Sequence, residues 1–167
     1  MIETTTRRWT TVVTVISVLI VLEAITFLLA TLLHLGIQFP LGFSEPRIIP
    51  AAIVEGLCGI FLAVSAFALF VRKTWAWWGA IAAHAFAVAG VLLGITALAL
   101  GLGPSTVANT IYHRTILGVL VVVLALLASP GARAALGRSQ KEGREMNTSD
   151  EERRRPSLEQ KQKGVAE

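Results

Sequence analysis

Residues 9–35 read WTTVVTVISVLIVLEAITFLLATLLHL, and this stretch decides the class of the chain. Its single Asp, Glu, Lys or Arg is Glu23. The run exceeds the ~20 residues that a helix rising 1.5 Å per residue needs to cross a hydrocarbon core of ~30 Å. Arg7 and Arg8 precede it, as in a secretory or twin-arginine export signal. However, the apolar run outlasts the ~7–15 residues of a signal h-region, and no small-x-small cleavage site precedes the next loop. The stretch is therefore expected to be a retained first helix.

Three further apolar stretches follow, at about 49–71, 75–100 and 106–128. Each is long enough to span a bilayer, so the fold class is an all-α integral membrane bundle of four transmembrane helices. Pro46 and Pro50 delimit the start of the second span. Pro104 falls where a helix can begin, since the first turn does not need its N–H. Residues 1–132 are expected to form the four-helix domain, and 133–167 a polar, disordered tail.

Charge placement supports that division. Of 15 Lys and Arg and 11 Asp and Glu, nine and seven lie from Arg133 onward. The net charge of +4 thus describes tails and loops, and the chain shows no nucleic-acid-binding face. The tail has mixed charge, Gly and Pro, and no hydrophobic periodicity. Ser129-Pro130 still resembles a helix start, so a short interfacial helix over 132–136 is left open. Cys58 is the one cysteine, which leaves no intrachain disulfide and no CxxC pair, and it reads as a small packing residue.

Lys and Arg in the short flanks set the expected orientation. Arg7, Arg8, Arg72, Lys73, Arg133 and Arg138 fall on one side, against Arg47 and Arg114 on the other. Both termini are therefore expected in the cytoplasm of a multi-pass plasma-membrane protein. Trp9, Trp75, Trp77 and Trp78 sit at the cytoplasmic boundary, and Phe39, Phe43 and Tyr112 near the outer one, as belt residues do. Small residues recur at four-residue spacing, as in Gly90 and Gly94, or Gly79, Ala83 and Ala87. Such stripes let helices approach closely. The lipid bilayer is the expected surroundings, with a homo-oligomer or a membrane-complex partner left open.

Ionisable residues inside the spans carry the functional question. Each costs roughly 2.5–3.5 kcal/mol on insertion scales and ordinarily faces a partner or a water-filled cavity. Glu23 lies ~21 Å along its helix from the cytoplasmic start, and His84 ~14 Å along the third. With tilt the two can meet, as an intramembrane proton or cation site. His34, Glu55 and His113 share an outer depth, with Glu45, Arg47, Asn109, Tyr112 and Arg114 supporting them as a rim. Glu23 and His34 are 11 residues apart, close to three turns, and so share a face. Glu55–Arg114 and Glu45–Arg47 are candidate ion pairs at the helix ends.

Three readings follow. A Glu–His pair suits reversible protonation near neutral pH, with the outer cluster as an access site. Two imidazoles and a carboxylate are also a ligand set for zinc or non-haem iron, although no HxxxH or HxxE spacing occurs. Alternatively, His34 and His113 would be axial haem ligands of a haem- or quinone-binding redox protein, without a CxxCH attachment motif. No specific motif thus implies a metal ion or haem. The third reading is a non-enzymatic accessory protein whose polar groups only stabilise the bundle. No nucleophile–base pair, phosphate loop or dinucleotide fingerprint supports an enzyme.

In general layout, four spans with an acidic residue in the first, the chain resembles the small multidrug exporters. That resemblance implies that Glu23 would exchange protons for cationic drugs. The chain departs from the family in its additional His and Arg residues, its long outer segment and its charged tail.

Overall fold

The computed structural model describes residues 2–38, 46–103, 106–134 and 136, with side chains from Thr11 onward. Four helices follow one another: α1 (Ile2–His34), α2 (Ile49–Phe70), α3 (Ala76–Ala99) and α4 (Val107–Ala128). No strand occurs among the described residues. All four helices are long and apolar enough to cross a membrane, over Thr11–His34 in α1 and over the whole of the other three. The apolar stretches of the sequence are therefore helices. α1 also runs back through Arg7 and Arg8 to Ile2.

The helix ends are made by backbone geometry. At the end of α1 the Ile37 N–H donates to Leu32 O (3.0 Å) and the Gly36 N–H to Leu33 O (2.8 Å). Gly36 takes the left-handed conformation that this paired cap requires, at φ 87°. α2 ends in the same way, with Lys73 N–H on Ala68 O and Arg72 N–H on Leu69 O, but here the left-handed residue is Arg72, at φ 52°. α4 starts at a side-chain cap, where the Thr106 hydroxyl accepts from the Asn109 N–H at 3.0 Å. Pro104 lies outside the described residues.

The helices pack in chain order, α1 on α2, α2 on α3 and α3 on α4, with a lighter α1–α4 contact. Apolar residues fill the centre, among them Ile16, Ile20 and Phe27 from α1, Leu62 from α2, and Leu120 and Val123 from α4. Alanines supply most of the α3 face. Close approach depends on missing side chains. A Cβ on Gly59 would lie 2.9 Å from Leu28 Cγ and 3.3 Å from the Ala24 carbonyl oxygen, so α1 and α2 meet almost backbone to backbone there.

Beyond α4 the chain does not leave the bundle at once. Ser129 is extended (ψ 144°) and its hydroxyl accepts from the Ala132 N–H at 3.2 Å, with Pro130 as the first residue of a new helical turn. Residues 130–134 and Leu136 are helical, and Ala132 and Leu136 are buried in the core cluster. The Trp77 indole N–H donates to Leu127 O at 3.1 Å, and the Arg133 guanidinium lies 5.4 Å over the Trp77 ring. The helical bundle thus continues past residue 132. The remainder of the tail lies outside the described residues.

Gly59→Ala is expected to destabilise the bundle by about 1–3 kcal/mol, because backbone atoms of α1 cannot move aside. Gly118→Ala is the control, since nothing lies within 4 Å of a Cβ there. Thermal melts in detergent should show a clear loss for the first and none for the second.

Candidate functional site

Two Glu–His pairs lie inside the bundle. Glu23 Oε2 is 2.9 Å from His84 Nε2, joining α1 to α3, and both side chains are fully buried. Glu55 Oε2 is 2.7 Å from His34 Nδ1, joining α2 to the end of α1, and this pair too is buried. The shared face of Glu23 and His34 explains why one helix serves both pairs. A carboxyl turned to lipid would have no partner, so α1 rotates both polar positions inward.

Backbone contacts define the proton count of the inner pair. His84 Nδ1 lies 2.7 Å from Ala80 O, and a carbonyl only accepts, so Nδ1 carries a hydrogen. The Nε2–Oε2 contact then needs one proton, held either by the imidazole or by the carboxyl. Either way the pair has no net charge. Removing that proton would set a nitrogen lone pair against a carboxylate and leave an uncompensated buried charge, which is strongly disfavoured. The second oxygen, Glu23 Oε1, is buried without a hydrogen-bond partner, and so is Glu55 Oε1.

The outer cluster comes together only in part. His113 is at the same level, but its Nδ1 donates to Asn109 O of its own helix at 2.9 Å. Its ring fills the notch at Gly94, with Nε2 2.6 Å from where a Cβ would stand. Tyr112 packs edge-on against His113 (5.2 Å between centroids), and its hydroxyl oxygen is buried without a partner. Asn109 is buried at the start of α4. Arg47 and Arg114 are exposed, and Glu55 pairs with His34 instead of Arg114. Glu45 lies outside the described residues. Among the described residues, no group of three or more His, Cys, Asp or Glu is placed to hold a metal ion.

Along α1, Phe27 lies between Glu23 and His34 in the chain, and it is buried in the core cluster with Cys58 and Ala87. Nearby hydroxyls are already bonded. Thr31 donates to Phe27 O and Ser65 to Leu62 O, each at 2.8 Å, so both serve their own helices.

Sequence reasoning missed the Trp77 latch to α4 and the aromatic pair of Phe61 and Phe86, which lie edge-on at 5.0 Å. Trp77 was legible only as a belt residue, since the carbonyl it meets lies 50 residues away in the chain. Compared with known protein families, curated proteins and solved structures, the chain has no match. The exporter-like layout therefore stands on general plan alone.

Double-mutant cycles should separate the two pairs. Glu23→Ala with His84→Ala, and His34→Ala with Glu55→Ala, are each expected to show a coupling of about 0.5–1.5 kcal/mol in unfolding measurements. The cross-cycle of Glu23→Ala with Glu55→Ala should be additive to within ~0.5 kcal/mol, because the two carboxyls share no hydrogen-bond partner.

Proposed function

We propose that this membrane protein handles a proton, or a cation in its place, at the Glu23–His84 pair. The observation that carries the reading is the Ala80 carbonyl bond to His84 Nδ1, which leaves one proton to be shared between Nε2 and Oε2. Such a pair exchanges its proton between two bases without creating net charge in the apolar interior. Glu23 Oε1 supports the same reading, as a second acceptor able to receive a proton or cation. His34 and Glu55 would act as the access pair on the outer side, with Tyr112 and His113 beside them.

A second reading is an accessory protein in which each pair is only an interhelical clamp, and it is favoured by the bonds themselves, since Glu23–His84 joins α1 to α3 and His34–Glu55 joins α1 to α2. In both readings we place the protein in the plasma membrane with both termini cytoplasmic, on the six-to-two bias of Lys and Arg in the flanks.

Glu23→Gln tests the choice. Its amide can still donate to His84 Nε2, so the fold and the melting temperature should be retained. Proton handling predicts pH-dependent cation or proton flux in wild-type proteoliposomes and its loss in Glu23→Gln. Equal behaviour of the two proteins would favour the clamp.

Topology is tested separately by reporter fusions. A fusion after Arg138 should report the cytoplasm and one within residues 38–48 the outer side. An outer signal from the Arg138 fusion would reject the orientation.

A further inference from the structure

A lateral groove of about 390 Å³ opens between α2 and α3. Phe61, Val64, Ala82 and Phe86 wall it, Gly79 forms part of its floor, and Trp75 borders it at the α2–α3 turn. Phe61, Val64, Trp75 and Phe86 are all exposed on the outside of the bundle, within or beside the membrane-spanning lengths. The size falls within the ~300–1,000 Å³ of small-molecule sites. From Trp75 to Phe86 the groove runs ~16 Å along the helix axis.

Its chemistry restricts the occupant. Ser65 supplies the lining's one side-chain hydroxyl, which already donates to Leu62 O at 2.8 Å. Every other lining side chain is hydrocarbon or aromatic, except for the Trp75 indole N–H. A polar molecule would lose hydration there without recovering hydrogen bonds. The Phe61–Phe86 end is aromatic. The Trp75 end adjoins Arg72 and Lys73, both exposed, and neither is in an ion pair among the described residues. No acid lies in the turn sequence VRKTW, residues 71–75.

We propose that this groove binds an anionic phospholipid, with one acyl chain along Phe61, Val64 and Phe86 and the phosphate at Arg72 and Lys73. Trp75 sits at the junction, where an indole ring meets both the chain and the headgroup region. Its ring lies against the bare backbone of Gly79, 2.6 Å from where a Cβ would be, so the glycine makes room for the indole at that end of the groove. The basic pair selects the headgroup's charge, and the groove selects a long apolar chain. The site is independent of the Glu23–His84 reading.

Native mass spectrometry of the full chain tests this, with phosphatidylglycerol and phosphatidylcholine of identical acyl chains added together. The wild-type protein should retain the anionic lipid by about threefold or more over the zwitterionic one. The R72Q/K73Q double variant should bring the two to parity. Ala82→Phe projects a ring into the groove from an exposed position and should lower retention of both lipids. Circular-dichroism melts confirm that both variants are folded. Equal retention of the two lipids by wild-type protein would overturn the proposal. So would Ala82→Phe protein that holds phosphatidylglycerol as well as wild type, since headgroup charge alone would then account for binding.

Discussion

A carboxyl group in an apolar interior must find a partner, and Glu23 finds His84. That bond joins α1 to α3, two helices that otherwise pack through α2. It also sets the rotation of α1. With Glu23 turned inward, His34 three turns later faces the bundle and meets Glu55 of α2. Two polar contacts thus fix one helix against two neighbours, in surroundings where apolar packing alone gives little directional preference. Gly59 and Gly94 then supply the room, the first for the α1–α2 approach and the second for the His113 ring.

The same bonds account for how the interior holds two acids and three histidines. Each imidazole is oriented by a named acceptor, His84 by Ala80 O and Glu23, His34 by Glu55, and His113 by Asn109 O. The inner pair holds one proton in its contact and no net charge. Keeping the second carboxyl oxygen unpartnered costs about 1–3 kcal/mol for a buried acceptor. A bundle selected for stability alone would gain by replacing such a pair with apolar side chains.

Much of this was legible in the sequence, for physical reasons. Helix length against bilayer thickness gave the four spans, and depth counted at 1.5 Å per residue paired Glu23 with His84. Angle gave the common face of Glu23 and His34. The partner of Glu55 was less accessible, because His34, His113 and Arg114 all lie at its depth and only the rotation of α4 decides among them. The Asn109 carbonyl takes the His113 Nδ1–H within the same helix, and Arg114 turns outward. The helical turn after α4 was signalled by Ser129-Pro130, but the contact of Arg133 with Trp77 joins distant parts of the chain and was not legible. The lipid-facing groove could not be read at all, since it depends on which small residues of α3 face outward.

The central claim is that His84 keeps its Nδ1 hydrogen on the Ala80 carbonyl and shares one proton with Glu23 through Nε2. Nitrogen-15 NMR of labelled His84 in proteoliposomes reports both ring nitrogens directly. The account predicts a protonated Nδ1 in the folded protein, in wild type and in Glu23→Gln alike. A neutral His84 carrying its hydrogen on Nε2, with Nδ1 bare, would contradict it.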